Sequence, residues 1–294
     1  MTELVEAAIR GLGTGSVYAL LALGFVIIYK ATRVISFAQP AFLLAGAVLV
    51  TYLVGPVGFW LAVPLAALGT AVLALGVERV AVRPMVGRPA FAVAIITLGV
   101  DVAVRVVVGA FIGLDVRQVR DPWGLSTRDF GPVTVQLRHI AMLITTAVLV
   151  AALFAFFQYT RMGLAMRAAS FDQEAALAQG VSVGAVFALS WAFAGALAAV
   201  AGTFAAAGAD VHPLLWTIAL TALPVIILGG LDSLVGAVVG GLVVGLVQEL
   251  TAVYQSNVPF LGKNFSIITP YVVMMLVLLV RPYGLFGTRE VERV

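Results

Sequence analysis

Residues 139–208 read HIAMLITTAVLVAALFAFFQYT, then RMGLAMRAASFDQEAALAQGVS, then VGAVFALSWAFAGALAAVAGTFAAAG. The first and third pieces are long enough to cross a bilayer, since about 20 apolar residues wound as a helix span the hydrocarbon and satisfy their own backbone hydrogen bonds there. The middle piece, 161–182, interrupts them with Arg161, Arg167, Asp172 and Glu174 while keeping helix-favouring residues throughout. Two transmembrane helices joined by a polar helical island is the reading, and it sets the class of the whole chain.

Working outward, the same apolar texture recurs at 12–29, 34–54, 57–77, 90–113, 214–230, 231–254 and 265–281. With 139–159 and 184–208 these predict an all-α, polytopic transmembrane helix bundle of eight or nine spans, with discontinuous or kinked helices and a short cytoplasmic helix from the island. The uncertain runs are 34–54, interrupted by Pro40, and 214–230, short and carrying Pro224. No run alternates strictly, which excludes a membrane barrel. Of 294 residues, 62% are hydrophobic and 11% charged, against about 25% charged in a soluble domain, and the mean hydropathy is +1.12. No composition shift divides the chain, so residues 1–294 are expected to form a single membrane domain, and the first run is read as a retained span rather than a signal peptide.

The absence of cysteine excludes disulfides, thiol nucleophiles and Cys-ligated metal sites. His139 and His212 supply too few ligands for a metal cage, and His212-Pro213 suits a loop cap better than a ligand. A net charge of +3 fits basic loops at a membrane face and not a nucleic-acid partner. No Ser/His/Asp, His-cluster or paired-carboxylate arrangement supports an enzyme.

Placing the island in the cytoplasm puts the N-terminus outside and the C-terminus inside if nine runs cross. Lys30, Arg33, Arg79, Arg83, Arg88, Arg161, Arg167, Arg281, Arg289 and Arg293 then face inward, against Arg10, Arg117, Arg120, Arg128, Arg138 and Lys263 outward. That is a modest positive-inside bias. In the long outer loop 114–138, Asp121-Pro122-Trp123-Gly124 and Gly131-Pro132 precede the alternating run Val133–Leu137, which reads as a turn and hairpin lid or as an ordinary connector. A faint echo of 16–24 in 185–195 is either an internal repeat or a coincidence of Ala, Leu and Gly.

At helical period, Leu164, Ala168, Phe171, Ala175 and Ala178 form one apolar, mostly small stripe across the island, with Arg167, Ser170, Gln173 and Glu174 on other faces. One short amphipathic helix is expected, ended by Gly180. It is either an interfacial helix without a partner or a docking element. Here Glu174-Ala175-Ala176-x-x-x-Gly180 resembles the cytoplasmic docking element of bacterial ABC importer permeases. Leu189 is followed by Ser190 instead of the proline that extends that element.

Two further stretches narrow the resemblance. Residues 33–40, RVISFAQP, and 227–241, ILGGLDSLVGAVVGG, are similar to segments of high-affinity branched-chain amino-acid permeases. Thr160–Gly163, Arg167-Ala168 and the terminal RPYGLFG at 281–287 extend the similarity over nearly the whole chain. The resemblance implies a transport subunit of the bacterial cytoplasmic (inner) membrane that binds no cofactor. ATP and Mg would be held by two separate ABC ATPase subunits, docked through Arg167, Asp172, Glu174, Ala175, Ala176 and Gly180. It also implies a second homologous permease, a heterodimer being favoured over a homodimer, and an extracytoplasmic substrate-binding protein. Ser36, Pro40 and Asp232 depart from the family pattern, so branched-chain amino acids, related small amino acids, amides or urea all stay open as cargo.

Within the membrane, Pro40 removes a backbone donor and disfavours helix at Gln39. The Ser36–Pro40 region is therefore either a discontinuous helix, with Ser36, Phe37, Gln39 and Thr97 along a substrate path, or a sealed proline kink. Asp101 and Arg105, four apart, are expected to neutralise each other, as a structural pair or as an ion site. Gly229, Gly230, Gly236, Gly240 and Gly241 admit close helix packing, within the subunit or against a partner. A self-sufficient secondary transporter or channel is the competing function. The chain has no G-x-x-x-x-G-K-[ST] phosphate loop of its own, and Gly262-Lys263-Asn264 lacks the hydroxyl and the upstream glycine.

Overall fold

The computed structural model describes residues 2–112, 117–208, 210–257 and 264–288. Asp115 of the outer loop, Gly262 and Lys263 of the nucleotide-motif fragment, and Arg289 and Arg293 of the inward charge set lie outside them. In chain order the elements are α1 (Thr2–Thr32), α2 (Gln39–Val57), α3 (Phe59–Val77), α4 (Ala90–Ile112), β1 (Arg117–Gln118), β2 (Thr127–Phe130), β3 (Val133–Gln136), α5 (Leu137–Tyr159), α6 (Arg161–Phe171), α7 (Gln173–Ala178), α8 (Val183–Ala206), β4 (Asp210–Val211), α9 (Ala222–Gly229), α10 (Leu234–Tyr254) and α11 (Phe265–Val280). Among the described residues seven helices, α1, α2, α3 with its extension, α4, α5, α8 and α10, are long and apolar enough to cross a membrane. Two shorter apolar runs, Pro213–Gly229 and Phe265–Val280, make up the rest. The all-α polytopic bundle is as the hydropathy indicates.

The run Pro213–Gly229 reaches from one end of the bundle to the other despite its length. It starts beside β4, which pairs antiparallel with β1 after α4, and ends where Leu228 and Gly229 carbonyls accept from Leu285 and Phe286 beyond α11. Residues Pro213–Thr221 are wound as 3-10 helix, which rises about 2.0 Å per residue where α-helix rises about 1.5 Å. Nine such residues followed by the eight of α9 cover about 30 Å, the thickness of the hydrocarbon.

Burial is uneven. In α1 the apolar middle is 89% buried, against 17% for α4 and 22% for α5, so α1 is the axis around which the others pack. Glycines let it do so: a Cβ at Gly11 would fall 2.7 Å from the Leu246 Cα, and one at Gly15 2.7 Å from the Gly241 carbonyl, both on α10. The small face of α10 is thereby divided. Gly241 and Gly245 meet α1, while Gly236 meets Gly229 and Gly240 lies under Val225, both of α9 or its end. Gly230, at φ 104°, turns the chain out of α9 beside Gly287.

At the end near the N-terminus, β2 and β3 form a hairpin in the 114–138 loop, the first of the two alternatives its sequence leaves open. Glu6 of α1 accepts from the Thr134 backbone there, and Trp123 packs against Phe59, Trp60 and Phe204. The opposite end gathers the close of α1, the α6–α7 island and residues 281–288, through contacts such as Lys30 to the Asp232 carbonyl.

Candidate functional site

The break between α1 and α2 is built at depth. Arg33, at φ 57°, is the one non-glycine residue in the left-handed region among the described residues, and it turns the chain back into the bundle after Thr32. Residues 34–38 then run to the start of α2. The Phe37 N–H donates to Thr97 Oγ1 at 3.0 Å, and the Ala38 N–H to Ser36 Oγ at 3.3 Å. Thr97 lies seven residues into α4 and Gln39 packs against Gly24 of α1, eight residues before its end. At about 1.5 Å per residue both place the start of α2 roughly 10–12 Å inside the bundle. Pro40 stands in the first turn of α2, where its missing N–H costs nothing, so it starts the helix instead of kinking it.

The opposite wall is one face of α4. Thr97, Asp101 and Arg105 recur at i, i+4 and i+8, and Thr97 and Asp101 are buried in a helix that is otherwise largely exposed. Asp101 lies beside the backbone N–H of Ala41 in the first turn of α2, where a carboxylate is favoured by the helix dipole. Arg105 donates to Asp101 Oδ2 through Nε at 2.8 Å, and its Nη2 lies 2.7 Å from the same oxygen as an ion pair. Its guanidinium sits 4.0 Å from the Trp216 ring centroid, a cation–π contact that spreads the remaining charge. Thr97 thus holds a backbone N–H two residues before α2, where water cannot reach it as it would at a surface turn, while Asp101 Oδ1 is buried there without a hydrogen-bond partner among the described residues.

Gln39 is completely buried, and neither amide atom finds a hydrogen-bond partner among the described residues. The Thr70 hydroxyl and the Trp191 indole N–H are buried without partners as well. These groups border the same two turns of α8: Gly24, against Gln39, is close to Ala194, a Cβ at Gly195 would fall 2.7 Å from the Thr70 carbonyl, and Trp191 stands edge-on to Phe42 of α2. Each unpaired group costs about 1–3 kcal/mol. A seam of polar groups without partners among the described residues therefore runs beside the α2 start, through a largely apolar core.

At the island, the single helix expected from the sequence is two helices, because Asp172 leaves the helix to cap α7, its Oδ1 accepting from the Ala175 N–H at 3.0 Å. Thr160 caps α6 in the same way, accepting from the Gly163 N–H at 2.9 Å. Gly180, at φ 81°, closes α7: its N–H reaches the Leu177 carbonyl and the Val181 N–H reaches Ala176, the paired bonds of a Schellman turn, which needs a residue without Cβ strain. Gly163, Met166, Ala169, Ser170 and Ala176 face inward. The stripe Leu164, Ala168, Phe171, Ala175 and Ala178 is wholly exposed, with Phe171 88% open. Arg167, Glu174 and Gly180 are exposed beside it, while Ala176 is turned to the core.

Two arrangements escaped the sequence reading. Glu78 is buried and paired with Arg83 at 3.0 Å; five residues apart, they would diverge on an α-helix, but Glu78–Val82 is a π-helical turn whose i→i+5 winding stacks them. The other joins the two helix ends at the island: Arg33 Nη2 donates to the Ser170 carbonyl at 2.8 Å, and Gln173 Nε2 to the Ala31 carbonyl at 2.8 Å.

Residues 7–280 match the family model described as branched-chain amino acid transport system / permease component. The high-affinity branched-chain amino acid transport system permease protein LivH of Salmonella typhimurium is 28% identical, covering 99% of this chain and 97% of its own length. BraD, of the same description, from Pseudomonas aeruginosa is 26% identical, covering 99% and 98%. A probable LivH of Methanocaldococcus jannaschii is 26% identical, covering 91% and 88%.

Proposed function

The chain belongs to the branched-chain amino acid transport system permease component family, and from that premise we propose that it forms half of the membrane pathway of an ATP-driven importer for branched-chain or related small amino acids. It works with a second homologous permease, two separate ATPase subunits that hold ATP and Mg, and an extracytoplasmic binding protein, in a bacterial cytoplasmic membrane. The observation that carries the docking part is the inversion of the island: its five-residue apolar stripe points away from its own protein. A helix whose apolar face is left uncovered while its capped ends and inward face are fixed is suited to seat on a partner. Arg167 and Glu174 flank that stripe and give the contact charge, and Gly180 fixes where α7 stops.

For the pathway, the buried α2 start offers a side-chain amide not already spent on the fold, of the kind cargo recognition in a membrane uses. Gln39 is the side chain we assign to that role, with Ser36, Phe37 and Thr97 of the same break as further pathway residues. Co-purification tests the docking. A tagged wild-type chain should bring down its ATPase, and Phe171→Asp or Glu174→Arg should reduce the recovered ATPase about tenfold or more, as loss of a central anchor does at an interface, without changing the yield of the permease. Undiminished ATPase recovery with both variants would remove the island as the docking site.

A further inference from the structure

We propose that Arg33 and Gln173 form a reciprocal joint that passes movement of the α6–α7 island to the buried start of α2. The proposal rests on the docking reading of the island. Every α-helix ends in carbonyls without intrahelical partners. At the close of α1 such a carbonyl, on Ala31, is taken by Gln173, which stands just past the end of α6. At the close of α6 another, on Ser170, is taken by Arg33, which stands just past the end of α1. Each helix end is thus satisfied by a side chain from beyond the other, both at 2.8 Å, and the two ends move as one body.

The segment beyond Arg33 carries that movement into the bundle. Arg33 itself is held in the left-handed region that L side chains rarely adopt, and strain of that kind persists where surrounding contacts impose it. Three residues later Ser36 is buried, and the next amide is fixed to Thr97. A displacement of the α6–α7 junction therefore acts on residues 31–33 directly and, through a short chain anchored at its far end on α4, on Gln39. Arg33 and Gln173 are positioning residues in this scheme; neither touches cargo.

The chain has no cysteine, so Phe37→Cys gives a single reporter on the re-entrant segment. The complex with its ATPases, purified in lipid nanodiscs, would be labelled with a methanethiosulfonate reagent with and without Mg-ATP and vanadate. The expected result is a several-fold nucleotide-dependent change in labelling rate in the Phe37→Cys background. Gln173→Glu, which keeps the shape but replaces the donor, should abolish that change, Gln173→Lys, which retains a donor, should preserve it, and Arg33→Gly should abolish it, with ATPase recovery unchanged in all three. A nucleotide-dependent change that survives in Gln173→Glu overturns the joint, as does a Phe37→Cys rate insensitive to nucleotide. Loss of ATPase recovery in Gln173→Glu alone overturns it too, since the residue would then act on docking. Failure of the wild-type chain to recover any ATPase removes the docking reading itself, and the joint with it.

Discussion

The chain breaks its helices in two places that solve the same problem under opposite conditions. Between α6 and α7 the break is exposed, and the island supplies its own caps, Asp172 and Thr160, from within the segment. Between α1 and α2 the break is buried; Thr32 and Ser36 serve the Val34 and Ala38 N–H groups locally, but the Phe37 N–H is met only by Thr97, from α4. Water at the first site can replace any cap that is lost. Nothing can at the second, so the buried break is tied to a distant helix and the exposed one is left free for a partner.

The largest expected effect breaks the dry side of that contrast. Asp101→Ala strands the Arg105 guanidinium in the membrane and should cost about 3–5 kcal/mol, seen as a large fall in thermal unfolding temperature in detergent. Asp101→Leu with Arg105→Leu removes both charges and should recover most of it; an unrecovered double variant would mean that the carboxylate acts chiefly on α2. Next in size, Thr97→Val removes the acceptor of the Phe37 N–H and should cost about 1–3 kcal/mol, with faster hydrogen exchange at Phe37. The smallest change lies on the wet side. Asp172→Ala should cost α7 about 1 kcal/mol of local stability, read as faster exchange at Ala175 with the unfolding temperature of the whole unchanged. If Thr97→Val and Asp172→Ala proved equal, the distinction between buried and exposed breaks would not hold.

How legible each element is in the sequence depends on its physics. The spans are legible because a membrane permits few ways of satisfying a backbone, whereas the hairpin is only half legible, because alternation after a Gly-Pro turn suits a strand but leaves its partner unnamed. The Ser36–Pro40 interruption is visible through Pro40, but its burial is not, since nothing local says that α4 would supply Thr97. The island's stripe is legible as a face, but its division into two helices is not: Asp172 serves equally as a helix residue or a cap, and tertiary context chose. Glu78 and Arg83 are hidden because their spacing has meaning only on a π turn, and a sequence does not announce that winding. Gln173 and Arg33 are hidden for a further reason, that the groups they satisfy are backbone carbonyls, which leave no signature in residue identity.

The 3-10 winding of Pro213–Thr221 bears on how far the two faces of the bundle can move relative to one another. Nine residues rewound as α-helix would shorten that run by about 4.5 Å, at a rise lower by about 0.5 Å each, while every amide exchanged one carbonyl partner for the next. The segment holds a reserve of length that no other crossing of the chain possesses in comparable measure among the described residues. Trp216, over which the Arg105 guanidinium rests, lies in the middle of it, so any drawing-in of that reserve would be felt first at the charged face of α4.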